Sequence, residues 1–284
     1  MSIPGFGERL RQAMTAYGPL CAGIDPHRGL VEEWGLTYDL AGVERFAMTC
    51  VEALGGQVAA IKPQSAFFEV FGARGVALLE RVIDGARELG SLVILDVKRG
   101  DIGSTMDAYA HAFLGPAAQS APDAITVSPY LGYESLRPAL DLAVESGRGV
   151  FVLCLTSNPE GAGVQHATLD GRSVAASMAE GAAADNAAAR ERGELGPVGL
   201  VVGATVGAAV RHLDIDLVAV NGPILAPGVG AQGATKGDLT RVFGAALPNV
   251  LAASSRSILR AGPTVSAIRE TARSEAARLS VLAT

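Results

Sequence analysis

Short apolar runs alternate along this chain with longer stretches in which apolar residues recur every three or four positions. The short runs are residues 20–25 (LCAGID), 58–63 (VAAIKP), 92–98 (LVILDVK), 124–128 (AITVS), 149–155 (GVFVLCL), 198–203 (VGLVVG), 224–227 (ILAP) and 250–254 (VLAAS). Their length and near-continuous apolar character predict eight buried strands. Between them, 39–54 places Leu40, Val43, Phe46, Ala47, Cys50, Val51 and Leu54 on one helical face. Residues 76–89 do the same with Leu79, Val82, Ile83, Ala86 and Leu89. Further helices are predicted over 134–145, over the Ala-rich 173–192 and over the tail 265–279. Strands that alternate with helices imply a parallel sheet covered by those helices. A single closed (β/α)8 TIM barrel over residues 1–284, with extra N- and C-terminal helices, is the economical arrangement, because closure leaves no edge strand. A doubly wound open sheet satisfies the same pattern. No linker divides the chain. Residues 157–171 are too many for a plain turn between strand and helix, which makes them a candidate lid.

Composition narrows the function classes. Of the 284 residues, 49% are hydrophobic, enough for one large core, and the formal charge of −6 argues against a general nucleic-acid binder. A small anionic ligand in a locally positive pocket remains compatible. Cys21, Cys50 and Cys154 are scattered, with neither disulfide framework nor zinc spacing, and Cys21 and Cys154 fall in strand runs as small core residues. His27, His111, His166 and His212 show no metal-ligand spacing. The first residues lack a signal-peptide layout, and the most apolar stretch, 198–210, is short and broken by glycine. The expectation is a cytoplasmic protein with no membrane span and no nucleic-acid partner.

The candidate chemistry gathers where the strands end. In VILDVKRGDIGST (93–105), Asp96 and Lys98 share a strand face, and Asp101 follows just past the end. A lysine among carboxylates is costly to bury unless the charges serve one another or a ligand. A structural ion-pair network is the plainer reading of this segment alone. Other strands add to it: Asp25 ends the first, Lys62 lies on the second, Ser128 ends the fourth, Thr156 and Ser157 follow the fifth, and Arg256 follows the eighth. Barrel active sites lie at this end of the strands. The glycine-rich APGVGAQGATK (226–236), with Gln232 and Gly233, together with Arg256 in SSRSI, matches the loops after strands seven and eight that hold phosphate in barrels. No nucleotide-triphosphate or dinucleotide fingerprint is present.

These segments carry a family resemblance. DVKRGDIGST is similar to the D-x-K-x-x-D-[IV]-x-x-T signature of the orotidine 5′-monophosphate decarboxylase family. GIDP (23–26), AIKPQSAFFE (60–69), APGVGAQG (226–233) and SSRSI (254–258) resemble its other motifs, and LTSNPEG resembles its longer bacterial branch. The resemblance implies conversion of orotidine 5′-monophosphate to UMP, the last step of de novo pyrimidine nucleotide biosynthesis, with no cofactor and no metal. It makes Lys98 the proton donor to C6, places Asp96 beside the substrate carboxylate, and completes the charge network with Lys62 and Asp101. Asp25 and Lys62 would hold ribose hydroxyls, Ser157 the pyrimidine, and Gln232, Gly233 and Arg256 the phosphate. It also implies a homodimer in which Asp101 and Thr105 cross to the partner's site.

The chemistry is compatible with the residues. Loss of CO2 from C6 of orotate leaves an electron pair in the ring plane, outside the π system. Motifs for the usual electron sinks are missing, which leaves electrostatic stabilisation by a fixed ammonium. Two rivals are a magnesium-dependent sugar-phosphate decarboxylase or aldolase on a similar barrel, and a non-catalytic phosphate-ligand sensor. Lys62 speaks against the first, since a metal ligand on that strand would have to be acidic. The complete Asp96–Lys98–Asp101 set speaks against the second.

Overall fold

The computed structural model describes residues 4–229 and 236–283. In chain order its strands are β1 (Leu20–Ile24), β2 (Ala60–Pro63), β3 (Leu92–Arg99), β4 (Ala124–Val127), β5 (Gly149–Leu155), β6 (Thr168–Leu169), β7 (Arg172–Ser173), β8 (Val198–Val202), β9 (Ile224–Pro227) and β10 (Val250–Ser254). Eight of them close into a parallel barrel in the order β1-β10-β9-β8-β5-β4-β3-β2, and β6 and β7 form a separate antiparallel hairpin. The closed barrel replaces the open-sheet alternative. Every predicted strand is present, although β2 begins at Ala60 rather than at residue 58 and β3 runs one residue further, to Arg99.

Alternation along each strand divides the core in two. Cys21, Ala60, Ile94, Ala124, Phe151, Val201, Leu225 and Leu251 fill the barrel interior. Their sequence neighbours, such as Ala22, Ile61, Leu95, Ile125 and Val152, face the surrounding helices. Side chains two residues further on along β1 to β4 therefore point inward again, at the C-terminal mouth.

The other end of the barrel is plugged by the helix Phe6–Tyr17. Phe6 and Leu10 are fully buried in the interior cluster, and Phe6 meets Phe151 edge to face. A Cβ on Gly149 would fall within 2.1 Å of the Phe6 ring, so only glycine at the start of β5 admits the plug. Arg9 pairs with Asp123 at 2.5 Å and donates to the Gly147 carbonyl, tying the helix to β4 and β5. Helix Leu40–Leu54 starts at Asp39, whose carboxylate accepts from the Gly42 amide at 2.8 Å, a side-chain N-cap. Helix Val265–Ala283 packs against it, buries Ile268, Ala272 and Leu279, and completes the outer layer.

Three local features depart from the pattern reading. Residues 173–192 form two helices, Val174–Asp185 and Ala187–Glu191, rather than one. The break is at fully buried Asn186, whose amide donates to the carbonyls of Val198 and Val220 and accepts from the Val198 N–H. Residues 157–171 hold a short 3-10 turn (Pro159–Gly161), the helix Ala162–Gln165 and strand β6. The helix Gly103–Leu114 follows β3 although periodicity did not mark it, because Ala, Tyr and His separate its buried Met106, Ala110 and Leu114.

Candidate active site

The barrel mouth holds a cavity of about 400 Å³, within the size range of small-ligand sites. Asp25 lies just past β1, Lys62 on β2, Asp96 and Lys98 on β3, and Thr126 on β4. Thr156, Ser157 and Asn158 follow β5, Pro227 and Gly228 end β9, and Ser254, Ser255 and Arg256 close the ring at β10. Two acidic side chains thus face two lysines and an arginine, which gives the mouth a positive bias in an acidic chain.

Asp96 is the hub. One carboxylate oxygen accepts from Lys62 Nζ at 2.9 Å; the other accepts from Lys98 Nζ at 2.5 Å and from the Thr126 hydroxyl at 2.8 Å. The sequence suggested a lysine held between carboxylates; the structure instead holds a carboxylate between two lysines. Burial alone would push Asp96 up, but the attraction of Lys62 and then of Lys98, with hydrogen bonds from both, holds its carboxyl down at about 2. Burial likewise disfavours the Lys62 ammonium, and the charges of Asp25 and Asp96 outweigh it, so Lys62 is raised above its ordinary value. Lys62 Nζ lies 4.0 Å from Asp25 Oδ1, an oxygen that is buried with no hydrogen bond among the described residues.

Lys98 is aimed by its backbone. Its φ of +45° falls in the left-handed region, which costs a non-glycine residue roughly 1–3 kcal/mol. The register between β3 and β4 slips between Leu95 and Arg99, a bulge of the kind that redirects side chains beside active sites. The Lys98 amide donates to the Thr126 hydroxyl at 3.0 Å, so one threonine fixes both the strained backbone and the hub carboxylate. Gly100 then passes so close to Ser128 that a Cβ would lie 2.2 Å from its carbonyl oxygen. That contact assigns Ser128 a backbone role beside the strand end.

Of the residues singled out in the sequence, Asp25, Lys62, Asp96, Lys98, Thr156, Ser157 and Arg256 all border the cavity. Thr156 is engaged by Gln165, which accepts from its amide and donates to its hydroxyl, and by Asn158. Ser157 is left exposed beside them, without a side-chain partner among the described residues. Arg256 begins the short helix Arg256–Leu259, and among the described residues no carboxylate pairs with it. Asp101 and Thr105 do not border the cavity of their own chain; Asp101 accepts from the Ile102 amide at 2.8 Å, and Thr105 is exposed on the next helix. Gln232 and Gly233 lie outside the described residues. Pattern reasoning missed Thr126, His27, Gln64 and Ser255, all of which border the cavity. Thr126 had a readable signal: it takes the inward phase of β4, level with the charged positions of β3. Cys21, Cys50 and Cys154 are free and buried, and desolvation pushes the Cys21 and Cys154 thiols up to about 12, so they act as core residues.

A closed barrel with a lysine–carboxylate array and an arginine around one polar mouth defines an enzyme of the (β/α)8 class. Comparison with known proteins gives the family. The family model described as orotidine 5'-phosphate decarboxylase / HUMPS matches residues 18–271, and the chain belongs to this family. The orotidine 5'-phosphate decarboxylase of Streptomyces coelicolor is 60% identical over 268 residues, covering 94% of each chain. A crystal structure from Streptomyces avermitilis superposes with a TM-score of 0.93 at 56% identity, over 100% of this chain and 97% of that one. The OMP decarboxylase of Leishmania donovani matches at 30% identity and a TM-score of 0.77, over 98% of both chains. Among the described residues, no helix is long and apolar enough to cross a membrane.

Proposed function

We propose that residues 1–284 form one catalytic domain that decarboxylates orotidine 5'-monophosphate to UMP, the last step of de novo pyrimidine nucleotide biosynthesis, in the cytoplasm and without a cofactor. The observation that carries this reading is the Lys62–Asp96–Lys98 array at the barrel mouth, in a chain 60% identical to a decarboxylase of that name. The same array disfavours a magnesium-dependent sugar-phosphate reaction. Both oxygens of Asp96 are already held by ammonium groups and a hydroxyl, and β2 offers a cation where a metal site would need an acid.

In this reading the bond between C6 and the carboxylate breaks, CO2 departs, and its electron pair stays on C6. Lys98 Nζ stabilises that pair and then delivers a proton to it. Asp96, ionised and fixed, lies beside the substrate carboxylate and keeps both ammonium groups in place. The unsatisfied oxygen of Asp25 accepts from a ribose hydroxyl, and Lys62 joins the same contact. Ser157 reads the pyrimidine, and Arg256, with Gln232 and Gly233, grips the phosphate. Binding energy from the remote phosphate orders the site around the reacting carbon, with 157–171 as the lid.

The working unit in this proposal is a homodimer, with Asp101 and Thr105 completing the partner's charge network and ribose site. Two observations support it. Neither residue borders the cavity of its own chain, and the large apolar side chains Ile102, on the segment between them, and Tyr130 and Leu131, past β4, are exposed at 61%, 78% and 52%. Such a patch next to a strand end favours a protein partner.

The test follows the loss of orotidine 5'-monophosphate absorbance with purified protein in EDTA, beside Lys98→Ala. One charge pair at about 4 Å and an effective dielectric of about 20 is worth roughly 4 kcal/mol, so Lys98→Ala should slow turnover about a thousandfold or more. A folded wild-type protein without turnover would refute the assignment, and sugar phosphates with Mg²⁺ would be the next substrates to try.

A further inference from the structure

Behind the turn that carries Arg256 lies a buried carboxylate that the reaction does not use. Glu275 belongs to the helix Val265–Ala283, on the same stripe as Ile268, Ala272, Ala276 and Leu279, which are all buried. Packing alone would be served by an apolar residue there, and burying a carboxylate is unfavourable unless it holds something. Glu275 is 8% exposed, and one of its oxygens accepts from the Ser257 hydroxyl at 3.2 Å. The other oxygen is buried without a hydrogen bond among the described residues, with Arg278 at 3.8 Å, an ion-pair distance.

Ser257 in turn lies 2.8 Å, oxygen to oxygen, from the hydroxyl of Ser254, the last residue of β10. The Ser257 hydroxyl donates its single proton to Glu275, so the bond between the two serines takes its proton from Ser254. This chain of three groups clamps the backbone at both ends of Ser255 and Arg256, the two residues between them. Both border the cavity, and the Ser255 hydroxyl is itself buried without a partner among the described residues.

We propose that Glu275 is a positioning residue for anion binding: through Ser257 it holds the 254–257 turn in the shape from which Arg256 grips the substrate's phosphate. The inference rests on the decarboxylase reading and adds to it a residue outside the cavity. A group acting this way changes affinity for the phosphate end first and touches no group at the bond-breaking centre.

The experiment measures kcat and KM for orotidine 5'-monophosphate, and competitive inhibition by UMP and by inorganic phosphate, for wild type, Glu275→Leu, Glu275→Gln and Ser257→Ala. Loss of one hydrogen bond to a charged group corresponds to about a tenfold change. Glu275→Leu and Ser257→Ala should raise KM and both inhibition constants about tenfold, with any fall in kcat smaller than the rise in KM. Glu275→Gln, which can still accept from Ser257, should return all three constants to near the wild-type values. The inference is overturned if folded Glu275→Leu or Ser257→Ala leaves KM and both inhibition constants unchanged. It is equally overturned if either lowers kcat alone, or if Glu275→Gln is as impaired as Glu275→Leu. Should Glu275→Leu fail to fold, Ser257→Ala decides the matter, since it removes the link and keeps the buried carboxyl group. Failure of the decarboxylase reading is separate, because it shows as absent turnover in the wild type.

Discussion

Asp96 concentrates the electrostatics of the site in one residue. Its carboxyl is held at about 2, below the ordinary carboxylate value, so its stabilising contribution is present above roughly pH 4 and is lost as the pH falls towards 2. Lys62 is raised, so its contribution is complete below its ordinary value of about 10.4 and disappears only as the pH climbs through the higher folded value. Asp96→Asn leaves two ammonium groups facing each other near the barrel interior, and breaking a buried pair in this way costs about 3 kcal/mol. Denaturant titrations should show that loss at pH 6 and a narrowing gap between wild type and Asp96→Asn as the pH drops from 4 to 3. A gap that stays constant over that range would mean the carboxylate is not held by the lysines. Thr126 belongs to the same account. A hydroxyl in an apolar strand reads as a tolerated core residue in the sequence, and only the neighbouring strand shows that it serves Asp96 and the Lys98 backbone together.

At the scale of elements, helix and strand patterns carried far, and side-chain bonds to distant backbone decided the rest. Residues 173–192 are helical throughout by composition, yet the chain breaks at Asn186, where the amide links β8 to the carbonyl of Val220. Nothing local in an Ala-rich run announces that link, because its partners lie 12 and 34 residues away. Asn186→Ala leaves two carbonyls and one N–H buried and unpaired, which should lower unfolding free energy by about 3 kcal/mol while activity per folded molecule is retained. Unfolding curves with a matched activity assay check this; an unchanged midpoint would show that the bonds are dispensable. The bulge in β3 works in the same non-local way. Alternation placed Asp96 and Lys98 on one face, but the positive φ of Lys98 comes from the fit of β3 to β4.

The whole molecule raises the question of a second copy. Asp101 and Thr105 belong to the same motif as Lys98 and yet do not border the cavity that Lys98 borders. If each completes the partner's site, Lys98→Ala and Asp101→Ala are defects in different halves of one active site. Mixing the two inactive variants and allowing the subunits to exchange should then restore about a quarter of the wild-type activity, because half the dimers are mixed and each has one intact site. Activity that stays at the level of the separate variants would place both residues in one chain's site. The exposed Ile102, Tyr130 and Leu131 are the surface this exchange would cover, and sedimentation of Tyr130→Glu should show a shift towards monomer.

The sequence by itself determined a parallel sheet covered by helices, since eight apolar runs separated by amphipathic segments must be buried on both faces, and the strand pairing then closed it into a barrel rather than a doubly wound sheet. It also determined which ends of those strands carry charge, because alternation with a period of two needs no tertiary information. Tertiary structure alone decided which charge lies between which. The sequence placed carboxylates around a lysine, whereas closing β2 and β4 against β3 brought Lys62 and Thr126 to Asp96 from 34 and 30 residues away. Periodicity specifies the direction of a side chain, and the pairing of strands specifies its partners.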